Sequence, residues 1–278
     1  MELAAAAGGE MSVLSAIILG VVEGITEYLP ISSTGHLILA GDALGVDGPF
    51  AKNFDIFIQL GAILAVVMLY FNRFTGLLKF ERIDPLNEKN GLQGLRGLVL
   101  LAIASIPVSV LGVLFHKKIK ALLFYPKPVA IALIAGGLIL WFVEKLPRRE
   151  SNDSYDRVDF KTAFYIGVFQ AFALIPGMSR SACTIIGGMY FGLTRRAAAE
   201  FSFILAVPVL CAAVVFDLAG IFKTITADQF KLLAVGFAVS FVVAAVSIKL
   251  MMQIISRWSF RPFAVYRILL GLLVLYLL

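Results

Sequence analysis

Polar chemistry is scarce in this chain, and the scarcity narrows what it can be. Of 278 residues only 15% are charged, and just two are histidine and two cysteine. Cys183 and Cys211 sit in apolar surroundings without metal-ligand spacing, which excludes a disulfide framework and a thiolate zinc site. The hydrophobic runs lack apolar–polar alternation, so they do not read as half-buried strands. Met1 to Glu10 is Ala/Gly-rich with no basic region, unlike a secretory signal, and insertion is expected to fall to the first apolar helix. No basic stretch interleaves with aromatics. The net charge of +6, from 24 Lys and Arg against 18 Asp and Glu, therefore points to anionic lipid head groups and away from nucleic acid.

What is abundant is hydrophobic length. Apolar residues make up 60% of the chain and the mean hydropathy is +0.93, against about 45–50% apolar in soluble domains. Membrane-length runs, about 20 residues each, recur at Val13 to Leu29, Phe54 to Phe71, Gly97 to Phe115 and Pro128 to Val143. They continue at Phe160 to Ile175, Phe201 to Phe222, Leu232 to Ile248 and Pro262 to Leu278. The expected fold is an all-α polytopic membrane protein, one integral-membrane domain over residues 1–278. Polar loops are expected at Asn72 to Arg96, His116 to Lys127 and Glu144 to Asp159. Ile31 to Leu44 and Met178 to Gly192 are too short to cross and rich in Ser, Thr and Gly. Such segments survive at membrane depth when buried in protein or lining a wet cavity, so both read as re-entrant.

The order of features occurs twice. Gly20 to Glu23 aligns with Gly167 to Gln170 at an offset of 147, and Phe54 aligns with Phe201 at the same offset. Pro30 and Ser33 align with Pro176 and Ser179 at 146. Two repeats are expected, over about 11–144 and 158–278, inverted if each half makes three crossings, and internal duplication of this kind builds a site where halves meet. Loop charge does not fix the orientation.

Two stretches carry the chemistry. In the first, Glu23 and Glu27 share one face of a helix at i,i+4, and a carboxylate at membrane depth costs about 2.5–3.5 kcal/mol on insertion scales. Two together call for a cation, a proton or a watery cavity. Pro30 breaks the helix, and Ser32-Ser33-Thr34-Gly35 then offers hydroxyls and free N–H groups that cradle an anion, with His36 beside them. The second stretch, Pro176-Gly177-Met178-Ser179-Arg180-Ser181, holds an arginine whose planar fork suits bidentate phosphate. A structural ion pair with Glu23 or Glu27 is the plainer reading of Arg180. One half supplies carboxylates and the other a phosphate clamp.

Taken together, Glu23-x3-Glu27, Pro30-x-Ser32-Ser33-Thr34-Gly35-His36, Pro176-Gly-x-Ser179-Arg180-Ser181-x2-Thr184 and the tract Ala199 to Pro208 resemble the bacitracin-resistance type of undecaprenyl pyrophosphate phosphatase. The resemblance covers the chain after its first ten or so residues. It implies hydrolysis of undecaprenyl pyrophosphate to the monophosphate, which recycles the lipid carrier of cell-wall synthesis and confers bacitracin resistance. It also implies an inverted repeat with two re-entrant helix pairs around a cavity open to the outer face of the bacterial inner membrane. Catalysis would fall to Glu23, Glu27, Ser33, His36 and Arg180. Substrate binding would fall to Ser32, Thr34, Ser179, Arg180 and Ser181. A divalent ion, Mg2+ or Ca2+, is implied as well, with Glu23 and Glu27 as its ligands.

The nucleophile stays open at this point. Ser33 activated by Glu27 or His36 is the favoured reading, with His36 itself or an activated water as the alternatives. His116 reads as a solvated loop residue, which argues against the acid-phosphatase-type lipid phosphatases with their second active-site histidine. The partners expected are the polyprenyl pyrophosphate and membrane lipids, and a homodimer is left open. The rival class is a secondary transporter or flippase for polyprenyl phosphate lipids, which would use the same groups for binding alone.

Overall fold

The computed structural model describes residues 11–79, 91–145, 153–218 and 225–277, and every regular element among them is helical. The N-terminal tail and residues 219–222 of one expected span lie outside them, as do parts of two expected loops. Five helices are long and apolar enough to cross a membrane. They are α3 (Pro49–Leu69), α5 (Gly94–Leu123), α6 (Pro126–Val143), α9 (Arg195–Leu218) and α10 (Ala227–Arg257). Shorter elements are α1 (Val13–Thr26), α2 (Ser33–Ala43), α4 (Phe71–Leu77), α7 (Phe160–Ala171), α8 (Arg180–Tyr190) and α11 (Arg261–Leu277). The outward faces carry bare hydrophobics such as Leu114, Val215, Leu269 and Tyr276, as a lipid-facing surface requires.

Local chemistry sets the ends. Ser12 caps α1 by accepting from Ser15 N–H, and Asp159 caps α7 through Thr162 N–H. Thr226 and Gln229 form a reciprocal capping box on α10, satisfying two of the orphan donors of a helix start. Two expectations need correction: the expected loop from Asn72 to Arg96 begins inside α4 and ends inside α5, and the polar stretch from His116 is no loop. α5 runs on to Leu123, because the basic residues there sit on a helix already propagated from its apolar stretch. His116 lies within it, 3.5 Å from Asp217 on α9.

Packing follows one scheme in both halves of the chain. α1 lies along α10, α7 lies along α5, and α6 pairs with α11. Each half thus lends its penultimate helix to the first helix of the other. Small residues let the backbones close up, as membrane interfaces favour. A Cβ on Gly61 of α3 would stand 2.3 Å from the Phe237 carbonyl oxygen of α10, and one on Gly167 of α7 would stand 2.4 Å from that of Ala104 on α5. α2 and α8 have 11 residues each, about 16 Å at 1.5 Å per residue, half of an apolar bilayer of about 30 Å.

Candidate functional site

The two broken stretches end on the same backbone device. Ser32 and Ser179 have φ of 75° and 71°, and they are the non-glycine residues with positive φ among those described. Each caps the short helix that follows: the Ser32 hydroxyl accepts from Gly35 N–H and the Ser179 hydroxyl from Ala182 N–H. Strain of about 1–3 kcal/mol at such a position persists only where the surroundings impose it. Ser32 and Ser179 lie 147 positions apart. Ser33 and Arg180 are each the first residue of the helix that follows.

These two residues meet on Glu27. The Ser33 hydroxyl donates to Glu27 Oε2 at 2.5 Å, and Arg180 Nη2 donates to Glu27 Oε1 at 3.0 Å. Arg180 Nη1 donates to the Ser202 carbonyl at 2.9 Å and its hydroxyl at 3.2 Å. The guanidinium lies over the Tyr28 ring, 5.6 Å from its centroid. Its Nε has no partner. The plainer reading of Arg180, an ion pair with a motif carboxylate, is therefore met in this structure, with one donor left over.

A cavity opens between the loops, lined by Glu27, Ser32, Ser33, Thr34, Ser179 and Arg180. Gln59 of α3 joins this polar floor, while Val108 of α5 and Val209, Leu210 and Ala213 of α9 form an apolar wall. Most sequence-predicted residues are brought together here. Three are not among its lining residues. Ser181 lies beneath the loop, donating to the Leu29 carbonyl at 2.8 Å; that commits its proton, so Ser179 is the donor in their 3.0 Å contact. His36 is held by the Ser32 carbonyl at Nδ1 (2.7 Å) and by Tyr266 Oη at Nε2 (2.8 Å). A carbonyl only accepts, so Nδ1 carries the proton and, in the neutral ring, the Nε2 lone pair is taken by the tyrosine. Glu23 is fully buried, and neither of its oxygens has a partner.

The carboxylates of Glu23 and Glu27 share a helix face but not a task. Glu27 has both oxygens committed to the loops, and Glu23 has neither. Among the described residues no group of three or more His, Cys, Asp or Glu is arranged to hold a metal. An ion shared by Glu23 and Glu27 would have to compete with Ser33 and Arg180 for the Glu27 oxygens.

Arg267 was legible only as a charge in an apolar helix. It is fully buried on α11 and ties the two loops together. Nη1 donates to the Pro30 carbonyl at 3.2 Å, and Nη2 to those of Gly177 and Met178, both at 2.9 Å. Its guanidinium fills the space over Gly136 of α6, where a Cβ would stand 2.0 Å from Nη2. Buried carbonyls at a helix break need donors, and one side chain supplies them for both loops. Tyr266, its neighbour on α11, gave no sequence signal because a tyrosine near a membrane surface is ordinary.

The undecaprenyl-diphosphatase of Nitratidesulfovibrio vulgaris strain DP4 is 48% identical over 263 residues, covering 95% of this chain and 97% of that protein. The undecaprenyl-diphosphatase of the Hildenborough strain matches to the same extent. The family model described as bacitracin resistance protein BacA matches residues 16–273. With the match running from α1 into the last turns of α11, and every cavity-lining residue inside it, the chain belongs to the bacitracin resistance protein BacA family.

Proposed function

We propose that this protein is an undecaprenyl-diphosphatase, removing the terminal phosphate of undecaprenyl pyrophosphate to leave undecaprenyl phosphate and inorganic phosphate. The observation that carries the reading is Glu27 joined at once to Ser33 and Arg180. Phosphoryl transfer asks mainly for positioning and for stabilisation of charge on the moving group. The diphosphate draws Arg180 and its unpartnered Nε onto the phosphate oxygens, helped by the hydroxyls of Ser32, Thr34 and Ser179. Glu27, released from the arginine, is left as the base for Ser33.

The step balances on these residues alone. Ser33 Oγ attacks the terminal phosphorus while its proton passes to Glu27 Oε2. The bond from that phosphorus to the bridging oxygen breaks, and the lipid monophosphate leaves. Glu27 gives that proton to the departing monophosphate, then takes one from the attacking water and returns it to Ser33 Oγ as the phosphoserine is cleaved, giving inorganic phosphate and restoring the hydroxyl. His36, with both nitrogens bonded outside the cavity, orients the Ser32 turn through its carbonyl. Retained activity in Ser33→Ala would end the serine version, whereas a rapidly quenched phosphoserine in the wild type supports it.

The architecture supporting this reading is an inverted duplication, with repeats at about 11–144 and 158–278. Each contributes one re-entrant pair, α1 with α2 and α7 with α8. Support comes from the matched Ser32 and Ser179 turns, the exchanged packing of α1 on α10 and α7 on α5, and the short reach of α2 and α8. The cavity opens towards the outer side of the bacterial inner membrane. The Val108, Val209 and Leu210 wall takes the first isoprene units.

A further inference from the structure

Where α6 ends and α11 begins, cations gather that no carboxylate answers. The carboxylate at this corner, Glu144, is buried and already engaged. It accepts from both Nε and Nη2 of Arg195 and from Phe260 N–H. Lys145 and Arg261 instead lie over one ring, that of Trp141, with Nζ 5.4 Å and Cζ 5.5 Å from its centroid. Both side chains are exposed, with no hydrogen bond or ion pair to any described residue. Arg257, in the last turn of α10, is exposed and unpaired in the same way. The corner is remote from the cavity: Arg195 starts α9 here, and Val209 of the cavity wall follows about 21 Å along that helix.

The plainer account is that the indole alone satisfies its two cations. A ring attracts each of them but carries no net charge, so two like charges at most about 11 Å apart still repel. The N–H donors of the ammonium and the guanidinium also stay open. Cations at the far end of α10 behave otherwise. There Lys231 bonds to Asp228 at 2.9 Å, and Lys52, where α3 starts, lies 4.0 Å from Asp47. Both tryptophans of the chain stand at the unpaired corner, Trp141 under the cations and Trp258 directly after Arg257, 66% exposed. Tryptophan marks the head-group level of a bilayer, and cations at that level attract anionic lipid.

We propose that Lys145 and Arg261, framed by Trp141 and with Arg257 at the turn, bind the head group of an anionic phospholipid. One phosphodiester accepts from the ammonium and the guanidinium together. Its acyl chains run along Leu138 and Phe142, which α6 leaves exposed. Arg267, which holds both loops, follows Arg261 by about 9 Å on α11. A lipid that clamps the end of α6 to the start of α11 therefore steadies the arginine on which the loops depend. Binding is read without substrate, so this inference does not rest on the hydrolytic reading.

The test is native mass spectrometry of the purified protein in neutral detergent containing equal phosphatidylglycerol and phosphatidylcholine. The wild type should retain phosphatidylglycerol selectively. The double variant Lys145→Gln/Arg261→Gln should lose at least about tenfold in that affinity, as expected for two cations near a charged surface, and each single variant part of it. The pair Lys52→Gln/Lys231→Gln, at the other end of the bundle, should bind as the wild type does. Phosphatidylglycerol should raise the thermal midpoint and slow hydrogen exchange of residues 28–36 and 175–184 in the wild type, and do neither in the double variant. Equal selectivity in the double variant, or equal loss in the control pair, would overturn the site. Inorganic phosphate or glycerol 3-phosphate binding as tightly as the lipid would make it a soluble-anion site and overturn the assignment to lipid. Bound lipid with loop exchange unchanged would overturn the link to Arg267.

Discussion

Replacing Arg267 tests how the two loops are held in register. Its guanidinium makes three bonds, to Pro30, Gly177 and Met178, and a bond to a charged group contributes about 1.5–3 kcal/mol. Against this gross figure stands the cost of burying the cation, which is several kcal/mol after relaxation and vanishes in Arg267→Met. The three carbonyls then lose their donors inside a space too narrow over Gly136 for ready hydration. The net loss expected is about 3–4 kcal/mol of loop order, which lowers kcat/KM about 10²–10³-fold at 1.4 kcal/mol per decade. Arg267→Lys, a single point donor without the fork, should reach one loop and fall between. The assay is phosphate release alongside hydrogen exchange of residues 28–36 and 175–184. Exchange should quicken in both loops together. Activity within about threefold of wild type in Arg267→Met, with both loops still protected, would refute the bridging role, since three bonds of this kind sum to more than 4 kcal/mol.

Other outcomes follow from the same geometry. Arg180→Lys loses the fork that reaches Glu27 and Ser202 at once and should lower kcat/KM at least about a hundredfold, read from initial rates. Tyr266→Phe removes the hydroxyl from His36 Nε2. A fall of about three- to tenfold in kcat is expected, with no change in protein yield, since one neutral hydrogen bond contributes about 0.5–1.5 kcal/mol. Gly61→Ala forces a methyl to 2.3 Å from the Phe237 carbonyl oxygen, and overpacking of about 1–3 kcal/mol or more should lower the thermal midpoint in detergent.

Much of this architecture is legible in the sequence, and the gaps have physical causes. The apolar runs predict the helices because hydrocarbon demands length, and Pro30 and Pro176 predict the breaks because a proline excludes the preceding helical turn. The cavity-lining Glu27, Ser33 and Arg180 are legible because charge at membrane depth needs a reason. Helix ends are less so: the basic residues after His116 read as a loop, whereas α5 carries them to Leu123. Positive φ at Ser32 and Ser179 belongs to the backbone, and neither serine announces it. Roles within the glutamate pair are also hidden, since an i,i+4 spacing places Glu23 and Glu27 on one face without saying which partner each meets. Arg267 is visible as a buried cation, but its partners are carbonyls, and carbonyls occur at every residue.

The measurement closest to the central claim is phosphate release from undecaprenyl pyrophosphate by the purified protein in detergent, with Glu27→Gln, Ser33→Ala and Arg180→Ala beside the wild type. The account predicts stoichiometric conversion to the monophosphate by the wild type and loss of at least about a thousandfold in each variant, with folding unchanged, as for residues that act as one unit. A well-folded wild type that binds the lipid and releases no phosphate under any divalent ion would contradict it, and the cavity would then be a lipid-carrying site that performs no hydrolysis.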